Sequence, residues 1–479
     1  MRLVPIFVCV SITAVGLLTL PAFSQDEGDA APAEPVSFYR QVRPILQRQC
    51  AGCHQPAKQG GKLVLTSYDD LKKGGENGVS FEAGDADSSN LIAYISGEDP
   101  EMPKNADPLP AEDVALIARW VKEGAKDDTP ASVKDTIGPS NPPIYHAPPV
   151  VTALRYSPDS SLLAVSGFHE VLLHQTDGPD ADGAPVARLI GRSQRVTALE
   201  FSPDGATLAA VGGAPALFGE VQFWDVSTKE LRQSATFGPD TLFGAAFSGD
   251  GKYFAVGSAE NRARILKTED LSQHVKFDAH SDYVLGVTFS LKNDHLITVS
   301  RDMTAKLVVV ENGQFVDNIT SITPGALKGG LTAVQLRPGQ EQILIGGSDG
   351  EPKLYKIFRE QARVIGDDFN KIRAFQPLEG RIFDLRSNAD GTKFVVGAST
   401  ALGGAARIYD VESGNLLHEL KLAEGKPLPA PVYAVAFRPD GKQVAVAGFD
   451  GYVRLFDAET GTLAKEFSPA PLTPQTAAK

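Results

Sequence analysis

The chain is short of cysteine, with three in 479 residues. That excludes a disulfide-stapled scaffold, and a chain of this length needs none to bury a core. Methionine and tryptophan are also scarce, at 3 and 2. Basic residues are outnumbered, 46 Lys and Arg against 59 Asp and Glu, for a net charge of −13. This argues against nucleic acid as a partner, because nucleic-acid binders need a basic surface. Beyond residue 20 no apolar run is long enough to span a membrane. No phosphate loop is present either: Gly74, Gly75 and Gly78 lack the strand-to-helix setting and the Lys-Ser/Thr pair such a loop requires, and read as turn glycines.

The length predicts two or more domains. Residues 1–24 carry one early Arg, an apolar run and small residues at Ala22 and Ser24. This is the pattern of a secretory signal peptide cut near Ser24, and it predicts export to the periplasm or the extracellular space. The alternative is an uncleaved membrane anchor, the one way in which a membrane would be involved. Cys9 lies inside this run, so cleavage leaves Cys50 and Cys53 as the mature cysteines. Residues 25–35, rich in Asp, Glu, Ala and Pro, read as a disordered leader.

The remaining pair stands in Cys50-Ala51-Gly52-Cys53-His54. This is the spacing that attaches one haem c: two thiols form thioethers with the haem vinyl groups, and the histidine binds the iron. A disulfide and a zinc knuckle are the bland alternatives, but a zinc site needs about four protein ligands, and His54 is the one further candidate nearby. Between residues 36 and 128, His54 is the sole histidine and Met102 the sole methionine. By elimination Met102, followed by Pro103, is the candidate sixth iron ligand, and a thioether ligand raises the reduction potential. The alternative leaves Met102 in the core and the sixth position open. Phe38, Val42, Ile45 and Leu46 recur at helical spacing before the motif, with Pro44 starting or kinking a turn. Residues 110–124 read as a second helix, with acids first, Lys122 late and Gly124 as the stop. Trp120 reads as core rather than as an electron relay.

Residues 129–149 hold six prolines and read as a semi-rigid linker. From residue 150 the pattern becomes one of short strands in repeats. Units begin near Val151, Val196, Phe243, Val284, Leu331, Ile382 and Val432. Each has four short strands, and Asp-Gly turns such as Asp204-Gly205, Asp250-Gly251 and Asp440-Gly441 supply the positive φ of tight hairpins. This period predicts a seven-bladed propeller over residues 150–467. The last unit holds all four of its strands, and residues 468–479 read as a frayed, disordered tail.

Residues 150–467 resemble a WD40 β-propeller. Trp224-Asp225 is its literal signature, Tyr409-Asp410 and Phe456-Asp457 are relatives of it, and Ala279-His280 stands for the Gly-His element. The resemblance implies that His280, Ser300 and Asp302 form a structural network rather than a catalytic triad. Residues 36–128 resemble a small class I cytochrome c, and more closely the planctomycete-type cytochrome c domain. The matching parts include Pro44-Ile45-Leu46, the Cys50 to His54 motif, Ser67-Tyr68, Gly74-Gly75-Glu76-Asn77-Gly78, Gly84-Asp85 and Met102-Pro103. It implies Cys50 and Cys53 as covalent haem attachments, His54 as proximal ligand and Met102 as distal ligand.

The expectation is therefore a multidomain chain: a small all-α cytochrome c domain followed by an all-β propeller. Its predicted work is single-electron transfer, as a carrier more than an enzyme, with the propeller binding a protein partner. From residue 25 to 128 there are 11 Lys/Arg and 19 Asp/Glu, a net of −8, which predicts a redox partner with a basic docking face. The rival readings are a peroxidase-like haem enzyme with an open iron and a haem-bearing scaffold or sensor without turnover.

Overall fold

From Leu154 to Phe467 the alternating segments fold as successive antiparallel sheets. The structure is a computed structural model and describes residues 34–104, 106–130, 137–177, 183–321, 323, 328–364, 366 and 368–474. The apolar run with Cys9, nearly all of the leader and the end of the tail lie outside the described residues.

Among the described residues of this stretch, five sheets have four strands each and a sixth has seven. The seven-stranded sheet is two blades sharing one long strand, Ala187–Phe201. Its first part pairs with Phe168–Gln175 and its second part with Thr207–Ala214. Blade 1 thus runs from Leu154 into this strand, and blade 2 from this strand to Thr236. The remaining blades begin at Leu242, Val284, Leu331, Ile382 and Val432. The innermost strands neighbour one another around the ring, and Val432–Phe437 closes it against Leu154–Tyr156.

The second strand of a blade, such as Gln443–Gly448, is buried along nearly its whole length. Neighbouring blades cover both of its faces, which is why it reads as a run of Ala and Val rather than as an alternation. The outermost strands, such as Leu463–Phe467, alternate instead. At the blade 2 hairpin, Asp204 Oδ1 accepts from Ser202 Oγ (2.5 Å) and from the Ala206 amide (3.0 Å). Gly205 follows with φ of 73°, a conformation side chains strain to adopt.

All four strands of blade 7 are consecutive, so among the described residues no strand is borrowed to close the ring. A smaller clasp joins the two ends of the propeller: Tyr145 bridges Leu472, and the Thr473 amide donates to the Tyr145 carbonyl (2.8 Å).

The segment before the propeller holds α1 (Arg43–Gln49), α2 (Tyr68–Lys73), α3 (Asn90–Ile95) and α4 (Ala111–Lys122), with a π turn at Phe38–Val42. Phe38, Val42, Ile45 and Leu46, the stripe expected from the sequence, are buried together with Ile117, Trp120 and Val121 of α4. Phe38, Tyr68, Phe81 and Trp120 form an aromatic cluster at centroid spacings of 5.2 to 6.3 Å. The expectation of an all-α segment holds for these helices alone. A two-stranded pair, His54–Gln55 with Lys58–Gln59, follows the motif, because the Pro56-Ala57 turn folds the chain back on itself.

Candidate functional site

Helix α1 delivers the motif. Its last turn is closed by the Cys50 and Ala51 amides, both donating to the Leu46 carbonyl at 3.0 Å. The Cys53 and His54 amides then donate to the Cys50 carbonyl at 3.2 Å each, winding the two cysteines into one tight turn. Both thiols are free: Cys50 is half-buried on the segment's core, and Cys53 is exposed. Burial pushes the Cys50 thiol up to about 12, and the positive charge of Arg192 partly offsets this.

His54 is half-buried and its Nδ1 is buried without a hydrogen-bond partner. Burial holds its pKa below the ordinary histidine range, against an opposing pull from the backbone of Leu63 and Gly60. The ring lies against Gly60, where an added Cβ would come within 3.5 Å of Cε1. Met102 lies on the loop after α3, with its amide donating to the Tyr94 carbonyl (3.0 Å). Its side chain packs on the same hydrophobic core as Cys50. Two reduced thiols, a neutral imidazole with an orphaned nitrogen and a thioether on the Cys50 core make a donor set that fits a covalently held haem. Among the described residues no three His, Cys, Asp or Glu side chains gather as a metal cluster.

One side of the motif is covered by the propeller, which the sequence reading did not foresee. A Cβ on Gly52 would meet the Ser234 carbonyl oxygen of blade 2 at 2.9 Å. Gln55, fully buried, donates through Nε2 to Glu220 Oε1 (3.1 Å). Glu220 is fully buried as well, and also accepts from Ser193 Oγ (2.5 Å), Ser234 Oγ (2.6 Å) and Gln222 Nε2 (2.8 Å). Arg192 reaches from the shared strand of blades 1 and 2 and donates through Nη2 to the Gln47 carbonyl of α1 (2.9 Å). Its guanidinium stacks 3.6 Å over the Phe218 ring, with Nε 3.8 Å from Glu220. The signal was present in the sequence as Glu220 between apolar strand residues and as Arg192 after Leu189-Ile190-Gly191. A charge inside an apolar strand needs a buried partner.

The network expected around His280 forms, with a different hydroxyl. His280 pairs through Nδ1 with Asp302 Oδ2 and through Nε2 with Thr298 Oγ1, both at 2.8 Å. Ser300 Oγ instead accepts from the Asp302 amide (3.0 Å) and donates to the Asp282 carbonyl (3.0 Å). Thr298 and Ser300 share one strand face by the period-two rule, and the imidazole pairs with the one inside the strand rather than the one at its end.

Residues 50–105 match the family model described as Planctomycete cytochrome C. Residues 271–308 match "WD domain, G-beta repeat", and residues 424–474 match "Anaphase-promoting complex subunit 4 WD40 domain". The chain is similar to the U3 small nucleolar RNA-associated protein 4 homolog of Mus musculus, 28% identical over 30% of this chain and 20% of the relative. It is also similar to Actin-interacting protein 1 of Drosophila melanogaster, 26% identical over 47% of this chain and 34% of the relative. Eukaryotic translation initiation factor 3 subunit I of Candida glabrata is 26% identical over 34% of this chain and 48% of the relative. The chain thus spans less than half the length of each of these curated relatives. Joined to the propeller topology, the matches identify the chain as a cytochrome c-like domain fused to WD40 repeats.

Proposed function

We propose that this protein is an exported monohaem c-type cytochrome that passes single electrons, with its propeller serving as a protein-interaction scaffold. The observation that carries the reading is the Cys50-Ala51-Gly52-Cys53-His54 turn at the start of the Planctomycete cytochrome C match, with both thiols free and a ring nitrogen of His54 unpartnered. When bound, the haem supplies an iron that cycles between ferrous and ferric states. Cys50 and Cys53 would anchor it covalently, and His54 and Met102 would hold the iron. Cys50 and Met102 pack, each partly buried, on one hydrophobic core. The functional limits are residues 36–128 for the cytochrome part and 150–467 for the propeller, after removal of residues 1–24. The redox partner presents a basic face, and a separate protein partner binds the propeller.

The test is a pyridine haemochrome assay on the full chain expressed with its leader, after denaturing extraction. Covalent haem at one per chain is expected, and its absence refutes the proposal. A Met102→Ala variant is expected to lose the weak near-infrared sulfur-to-iron band of the oxidised protein and to have a lower potential. An unchanged band and potential remove Met102 from the ligand set.

A further inference from the structure

Strands of the propeller reach the attachment turn and the helix before it. Arg192 is 9% exposed and reaches α1 at Gln47, three residues before Cys50. Its Nη2 takes the Gln47 carbonyl, one of the groups that the end of α1 leaves without a helical partner. Its Nη1 is buried with no acceptor at all. An arginine stays cationic even at this depth. The neighbouring anion, Glu220, is already saturated by Gln55, Ser193, Ser234 and Gln222.

We infer that Arg192 is a positioning residue of the haem site, supplied by the propeller, which fixes the end of α1 and places there an incompletely neutralised positive charge so as to favour the ferrous state. Reduction removes one positive charge from the iron, so a fixed cation close by, in a medium less polarisable than water, stabilises the reduced form. Glu220 acts in the opposite sense and holds Arg192 in place. The two modules are then one redox unit: the propeller sets the potential of an iron that it does not bind. This inference rests on the reading of the chain as a haem protein.

The experiment is spectroelectrochemical titration of the full-length holoprotein and its Arg192→Gln, Arg192→Lys and Glu220→Gln variants. Arg192→Gln is expected to lower the ferrous-to-ferric ratio at a fixed ambient potential by roughly tenfold. Arg192→Lys retains the charge and is expected to restore most of the ratio. Glu220→Gln is expected to raise it. If Arg192→Gln fails to fold, the opposite displacement by Glu220→Gln and the near-native value of Arg192→Lys decide the matter. Ratios unchanged across the folded variants overturn the inference. So does an Arg192→Lys value equal to that of Arg192→Gln, which would reduce the role to packing. A second readout uses haem-free full chain: iodoacetamide is expected to label Cys53 faster than Cys50, and Arg192→Gln is expected to slow labelling of Cys50, because the thiolate loses a stabilising cation. Covalent haem is counted in parallel by haemochrome. Haem-free wild-type protein from a haem-competent host refutes the proposed function instead, and leaves the labelling result as the measure of Arg192.

Discussion

At the scale of single residues, burial decides which groups titrate abnormally. His174 on blade 1 is 3% exposed, has neither ring nitrogen partnered, and packs edge-on to Phe467 at 5.3 Å. Burial, aided by the charge of Lys465, lowers its pKa to about 4. The folded state therefore binds fewer protons than the unfolded state below pH 6.5. Its contribution is complete above that pH and is lost as pH falls toward about 4, for a total of about 3 kcal/mol. Denaturant midpoints measured across this window are expected to fall with acid, and His174→Leu is expected to flatten the slope. A wild-type profile that is level from pH 7 to 4 would sink this account. Asp302 behaves differently: burial pushes its carboxyl up, but hydrogen bonds from His280, Thr304 and the Ser281 amide outweigh it and hold the pKa below the usual range. The existence of the His280 network was readable from the repeat; the choice of Thr298 over Ser300 was not, because it depends on where along the strand the imidazole falls.

At the scale of elements, the sequence was most legible where one period runs uninterrupted. The 3.6-residue stripes gave Phe38 to Leu46 and α4, and the Asp-Gly turns gave the hairpins. The onset expected at Val151 falls three residues before the first strand, Leu154–Tyr156, while those at Val284, Leu331, Ile382 and Val432 coincide with strand starts. The merging of blades 1 and 2 through Ala187–Phe201 was hidden, because a strand that changes partner mid-course keeps the same alternation. The docking of the attachment turn on blade 2 was hidden for a different reason. Gly52 in the motif reads as a spacer, whereas in the fold it leaves room for a strand carbonyl. Gly52→Ala is accordingly expected to destabilise the full chain by about 1–3 kcal/mol, since the clash is with backbone that cannot swing aside. Thermal unfolding of the two proteins side by side checks this, and equal midpoints would mean that the turn does not seat on blade 2 as described.

At the scale of the whole molecule, charge is distributed unevenly. Between residues 36 and 68 stand Arg40, Arg43, Arg48, Lys58 and Lys62 with no Asp or Glu, so the acidic excess of the cytochrome part lies in residues 69–128 and in the leader. A basic partner is thus expected to engage the acidic portion rather than the attachment turn. Its electron-transfer rate is expected to fall steadily between about 0.01 and 1 M salt, where the Debye length shrinks from roughly 30 to 3 Å. A rate indifferent to salt would dismiss electrostatic docking. The domain reading from sequence saw two modules and a proline-rich connection, but not their union, because the contacts join residues some 165 positions apart, as Gln55 and Glu220 do. That union has a consequence in time. The attachment turn leaves the ribosome long before blade 2 does, and once blade 2 is in place Gly52 is roofed by the Ser234 carbonyl and Arg192 holds the Gln47 carbonyl of α1. The turn therefore reaches its final packing only when blade 2 has folded, and the order in which the two modules fold decides how long Gly52 stays without its roof.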